Sequence, residues 1–237
     1  MFYVDYFYNF GESNNREVIS NAFDKDLFVT GYGGQEGIFK LNSVDFTVLD
    51  STIAGGASVF APRPITADEK NVYVGDQYNH RIMKFDRNDL TVVSSAGSYG
   101  SGGNNFDNPF QMALKKKGND TTLFVCDFKN HAVKIYNADN MNFRKSFGQL
   151  GLGATSFFCP TGIAATEEKV FIVQDANHRL QKWNVSANLE FSYENSVILN
   201  LNTAGNAKLA ADQKYVYVFY AKISEESILS TELWLEV

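Results

Sequence analysis

Asn79-His80-Arg81-Ile82-Met83-Lys84-Phe85, Asn130-His131-Ala132-Val133-Lys134-Ile135-Tyr136 and Asn177-His178-Arg179-Leu180-Gln181-Lys182-Trp183 are three copies of one pattern. Each is a polar turn followed by an alternating run, the period of a half-buried strand. Ahead of each stands a β-branched and aromatic stretch: Val72-Tyr-Val-Gly-Asp76, Leu123-Phe-Val-Cys-Asp127 and Val170-Phe-Ile-Val-Gln174. Leu27-Phe-Val-Thr-Gly31 and Val216-Tyr-Val-Phe-Tyr220 extend the series in both directions, and the five starts are 45, 51, 47 and 46 residues apart. The first copy is degenerate, with Gly33-Gly34-Gln35 in the turn before Gly37 to Leu41. The last carries an insertion, Ala221 to Ser227, before Ile228 to Val237.

Working outward adds two strands to each copy. Pro62-Arg-Pro-Ile65, Pro109-Phe-Gln-Met112 and Pro160-Thr-Gly-Ile163 precede the repeat, with weaker equivalents at Glu17 to Ala22 and Asn206 to Ala211. Val44 to Asp50, Leu90 to Ala96, Met141 to Phe147 and Leu189 to Tyr193 follow it. Four strands in about 47 residues are the unit of a propeller blade, whereas no unit has an apolar run of helical period long enough for a helical repeat. The expected fold is all-β: one domain, residues 1–237, a single five-bladed β-propeller of four-stranded antiparallel blades. Val4 to Phe10 is a spare strand that would complete the last blade and close the ring. Six blades fit less well, because no residues remain for another unit.

Composition narrows the function. The net charge is −6, from 21 Lys and Arg against 27 Asp and Glu, and the longest basic run is Lys115-Lys116-Lys117. That balance disfavours nucleic acid, which selects a basic excess or stripe. Cys126 and Cys159 match no metal or redox spacing and do not make a disulfide framework. No signal peptide and no apolar stretch long enough to span a membrane is visible, so the expected location is cytoplasmic.

The repeated Asn-His-Arg or Asn-His-Ala triplets, each followed by Ile, Val or Leu, resemble the NHL-repeat family. The glycine-rich Gly97-Ser-Tyr-Gly-Ser-Gly-Gly103 entry loop ending in Phe106-Asp-Asn-Pro109 fits that family too, and Phe157-Phe-Cys-Pro160 repeats its end. The likeness is strong from residue 62 to 184 and weak at both ends. Gln174 stands where the other two copies have Asp76 and Asp127. The resemblance implies a propeller acting as a binding module. It also implies two alternatives: RNA binding, as in some animal members, and metal-dependent lyase or hydrolase chemistry in the central channel, since one branch, the peptidyl-hydroxyglycine amidating lyases, holds zinc with histidines.

The chain has three histidines, His80, His131 and His178, one in each copy. Being in the same place in successive blades, they would stand roughly 10 Å or more from the ring axis and from one another, given strands about 4.8 Å apart. Zinc needs its nitrogens within about 2.1 Å. The turn histidines and the preceding acids are therefore read as structural, tying adjacent strands by hydrogen bonds. With no histidine left over as a base, no catalytic residue, metal or cofactor is expected. Recognition falls to the loops, which carry function on a rigid scaffold. Candidates are Tyr32, Arg63, Gln77, Tyr78, Tyr99, Phe128, Lys129, Asp175 and Tyr220, aromatic and basic groups of the kind that anchor a protein or peptide partner. The chain would act alone or as a subunit of a larger assembly.

Overall fold

A computed structural model describes residues 21–23, 26–31, 37–53, 62–174, 176–199, 207–223 and 228–236. Their regular elements are all strands, gathered in five sheets. The first contains β1 (Asn21–Phe23), β2 (Asp26–Gly31), β3 (Gly37–Asn42) and β4 (Val48–Ile53). The second contains β5 (Pro62–Ala67), β6 (Asn71–Asp76), β7 (Arg81–Asp86) and β8 (Val92–Ala96). The third contains β9 (Pro109–Lys117), β10 (Asp120–Asp127), β11 (Ala132–Asn137) and β12 (Phe143–Phe147). The fourth contains β13 (Pro160–Ala165), β14 (Lys169–Gln174), β15 (Arg179–Val185) and β16 (Phe191–Ile198). The fifth contains β17 (Lys208–Ala211), β18 (Tyr215–Ile223) and β19 (Ile228–Glu236). Strands follow chain order across every sheet, as an up-and-down blade requires. Among the described residues no helix is long and apolar enough to cross a membrane. The spare strand expected at Val4 to Phe10 lies outside the described residues.

Two compact units appear, Met1–Pro109 and Phe110–Val237. In the first, Phe28 and Ile38 pack against Ile65, Val72, Val74, Met83, Phe85 and Leu90, so the first sheet covers the second. In the other, Phe124, Val133 and Ile135 of the third sheet meet Ile163, Ile172 and Trp183 of the fourth. The fourth sheet's opposite face, Phe171, Val173 and Leu180, meets Leu209, Val216 and Val218 of the fifth. A strand with sheets on both sides must be apolar on both faces. This explains why β14 is buried from its second residue to its last, while the outer strand β16 of the same sheet is largely exposed.

The inner strands of the second unit meet at one side chain. Gln111 on β9 is buried; its Oε1 accepts from the N–H of Ile163 on β13 at 3.0 Å and of Leu209 on β17 at 2.9 Å. Its Nε2 donates to the Leu209 carbonyl at 2.9 Å. Gly162 lies against the same amide: a Cβ there would stand 2.8 Å from the Ala207 carbonyl and 2.5 Å from Val173 Cγ1.

The repeat extends to individual dihedral angles. His80, His131 and His178 have φ of 52°, 54° and 51°, and Phe46, Leu90, Met141 and Leu189 have φ of 59°, 53°, 59° and 59°. Non-glycine residues seldom enter this left-handed region, so its recurrence shows that the turns have one geometry. The second set corrects the expected outer strands. They begin at Val48, Val92, Phe143 and Phe191 rather than at Val44, Leu90, Met141 and Leu189. The apolar residue that looked like a strand start belongs to the turn, where Leu90 and Met141 N–H groups bond back to the Asp86 and Asn137 carbonyls. The expected insertion from Ala221 is also shorter: Ala221, Lys222 and Ile223 continue β18 and pair with Ser230, Leu229 and Ile228.

Gly148 shows how tightly the entry loops are built. Its φ is +94°, and a Cβ would lie 2.1 Å from Cδ2 of the buried Phe157. Gly148→Ala is expected to lower folding stability by about 2 kcal/mol, from backbone strain and overpacking together. Urea unfolding measures this, and an unchanged midpoint would refute the close fit.

Candidate functional site

Antiparallel pairing places two loop sets at one end of each sheet: the turn leaving the second strand, and the loop arriving at the first. The turns are built alike. Asn79 Nδ2 donates to Asp76 Oδ2 at 2.8 Å, Asn130 Nδ2 to Asp127 Oδ2 at 2.7 Å, and Asn177 Nδ2 to Gln174 Oε1 at 3.1 Å. Arg81 Nε also donates to Asp76 Oδ2, at 2.9 Å. The histidine ring then reaches forward. The N–H of Asn108, just before Pro109, donates to His80 Nδ1 at 3.2 Å; that of Cys159, just before Pro160, donates to His131 Nδ1 at 3.1 Å. The structural role expected for the Asn-His turn is thus given a definite form in the first two copies. An accepting Nδ1 is the nitrogen without a proton, which assigns the ring N–H to Nε2 in both copies.

The arriving loops, 97–108 and 148–159, are equally regular. Gly100 N–H donates to the Phe106 carbonyl and Gly151 N–H to that of Phe157, both at 3.1 Å. Phe106 and Phe157 plug the base of their loops and are fully buried. In the second unit three side chains clamp loop 148–159 from behind. Arg179 Nη1 donates to the carbonyls of Leu152 and Gly153, Gln181 Nε2 to those of Ala154 and Ser156, and Gln174 Oε1 accepts the Phe158 N–H.

The candidate residues are placed unequally. In the first unit Tyr78 is 71% and Tyr99 70% exposed, and the Tyr99 ring meets the His80 ring edge-on at 4.8 Å. Arg63 is half-buried, and its carbonyl accepts from Thr30 Oγ1 at 2.9 Å. Gln77 is turned inward, 7% exposed, its Nε2 donating to the Pro109 carbonyl at 3.1 Å. Its neighbour Tyr78 takes the outward position, because successive turn residues point to opposite sides. In the second unit Lys129 is exposed, while Phe128 is half-buried with its ring 5.3 Å from that of Phe110. Tyr32, Asp175 and the side chain of Tyr220 lie outside the described residues.

Two exposed residues escaped the sequence reading. Leu150 is 61% and Leu152 68% exposed on the clamped loop. Leu150 stands where the preceding copy has Tyr99: Tyr99 bridges to Phe106 as Leu150 bridges to Phe157. Aligning Gly148-Gln-Leu-Gly-Leu-Gly153 with Gly97-Ser-Tyr-Gly-Ser-Gly102 would have found it. The lysine run lies elsewhere. Lys116 and Lys117 are exposed at the far end of β9, away from the loops, and burial depresses the pKa of Lys115, with Lys117 adding to the effect.

No family model matches the chain, and no curated protein matches it. Solved structures do. A streptogramin B lyase structure superposes with a TM-score of 0.62 at 14% identity, over 92% of this chain and 69% of that one. A hydrazine synthase from Kuenenia stuttgartiensis gives 0.58 at 12% identity, over 90% of this chain and 60% of that one. A functionally unknown protein from Desulfotomaculum acetoxidans gives 0.63 at 12% identity, over 89% and 69%. The fold is that of a β-propeller. At these identities the likeness carries architecture and no activity.

Proposed function

We propose that this propeller is a binding scaffold of the NHL type that recognises a protein or peptide through its loops, with Tyr78 and Tyr99 as anchors. The supporting observation is that both tyrosines stay about 70% exposed on loops whose backbones are fixed by hydrogen bonds. A rigid aromatic presented this way loses little entropy on binding, which is why such residues dominate recognition hot spots. Lys129, Leu150 and Leu152 offer a second such group in the other unit. An intracellular setting goes with this reading, since no disulfide joins Cys126 and Cys159.

A lyase reading leans on one structural neighbour. Set against it, His80 and His131 direct Nδ1 at backbone N–H groups, and Gln111 joins the inner strands of the second unit. An RNA reading would draw on Arg63 and Lys129 at the loops and on the run Lys115 to Lys117, which lies at the opposite end of β9.

A displayed random-peptide library should yield binders to the wild-type protein. Tyr78→Ala with Tyr99→Ala should weaken them by about tenfold or more, the effect of losing one hot-spot contact. Both side chains are exposed, so stability should stay within about 0.5 kcal/mol of wild type. Unchanged affinity in a folded double variant would reject the anchor assignment.

A further inference from the structure

The two loops 97–108 and 148–159 share one fold and one histidine tie, yet the tie is set in different surroundings. Beside His80 Nδ1 lies a carboxylate: Asp107 Oδ1 is 3.8 Å away, on the loop that the ring holds. The equivalent of Asp107 beside His131 is Phe158, whose ring stacks on the imidazole at a centroid distance of 5.8 Å and 19° between planes. The Cys159 thiol, with Sγ 3.7 Å from Nδ1, is the other group at that ring. Asp127, the nearest acid on the histidine's own turn, is engaged by Asn130 and Lys134.

We propose that His131 is an acid-released latch at the base of loop 148–159, whereas loop 97–108 keeps a carboxylate of its own beside the equivalent ring. A protonated imidazole carries hydrogens on both nitrogens and cannot accept. At His131, Nδ1–H would then oppose the Cys159 N–H, two donors face to face in a half-buried site. Burial holds the proton affinity of His131 below the usual histidine value, the direction expected where the charged form has no counter-charge. The tie therefore persists at neutral pH and fails in acid. At His80 the ring has a second contact with its loop, the Asp107 carboxylate beside Asn108, which needs no accepting Nδ1. Acid would therefore free the base of loop 148–159 at Cys159, while Arg179 and Gln181 keep their hold on its tip at Leu152, Gly153 and Ala154. The latch is independent of whether either loop binds a partner.

Backbone hydrogen exchange, corrected for intrinsic rates, tests it at about pH 7.5 and about pH 4.5, a range that protonates histidine and leaves most carboxylates ionised. Protection of the Cys159 amide should fall about tenfold or more, the loss of one hydrogen bond, and the neighbouring Phe157 amide should follow, while the equivalent Phe106 amide changes less than about threefold. His131→Asn keeps an acceptor near the position of Nδ1, tolerates the positive φ and does not titrate, so its Cys159 amide should stay protected in acid. Asp107→Asn should confer on the Phe106 amide the acid sensitivity of the Phe157 amide. Equal behaviour of the Phe157 and Phe106 amides in the wild type would overturn the proposal, and so would an acid loss that persists in His131→Asn. A pH-insensitive Phe106 amide in Asp107→Asn would overturn the role given to that carboxylate.

Discussion

Asp127→Asn is expected to cost about 3–5 kcal/mol of folding stability, the range for breaking a buried charge pair from one side. Asp127 is fully buried at the end of β10, and its Oδ2 lies 3.7 Å from Nζ of Lys134, which is buried in turn on β11. Burial already lowers the pKa of Lys134, and the carboxylate opposes that shift. Without the carboxylate the ammonium loses its counter-charge, and deprotonation becomes its easiest relief. The sign follows from linkage. A lysine whose folded pKa lies below its unfolded value of about 10.4 binds fewer protons in the native state, so stability rises with pH up to that value. The variant should therefore recover stability between about pH 7 and pH 10 more steeply than wild type. Adding Lys134→Met removes the stranded charge and should restore most of the loss, because apolar replacement of a buried pair is often neutral. Guanidinium unfolding of the two variants across that range is the measurement. A single variant within about 1 kcal/mol of wild type would show that the pair is not coupled.

Gln111→Leu should cost at least about 3 kcal/mol, since it orphans several buried backbone groups worth about 1–3 kcal/mol each. The amide serves the N–H groups of Ile163 and Leu209 and the carbonyl of Leu209, which lies 98 residues along the chain. Leucine fits the volume and satisfies none of them. Gln111→Glu gives a sharper test. Its carboxylate would face the Leu209 carbonyl, where only the protonated acid can donate. A buried Glu of raised pKa binds more protons in the native state, so this variant should lose stability as pH rises above about 4.3. A pH-independent Gln111→Glu would mean that the side chain is solvated and not part of the hub.

How much of this was legible depends on how far apart the interacting residues lie in the chain. Second and third strands were readable because their signals are local: Val72-Tyr-Val and Ile82-Met-Lys-Phe85 show burial and alternation within a few residues. Outer strands were placed too early because Leu90 and Met141 are apolar in a turn, and left-handed apolar residues leave no mark in a hydropathy pattern. Among the loop candidates, Tyr78 and Tyr99 are exposed and Gln77 is not, a difference set by which way each turn residue points.

The chain's own order of residues determined the repeat, the four-stranded unit and the Asn-His turn, because periodic burial and turn chemistry act over a handful of positions. Tertiary structure alone decided that His131 meets an amide 28 residues ahead, that Gln111 ties β13 and β17, and that Asp107 and Phe158 give two like loops different neighbours. Such contacts form when sheets pack, and a side chain's partner across a sheet interface has no fixed spacing in sequence.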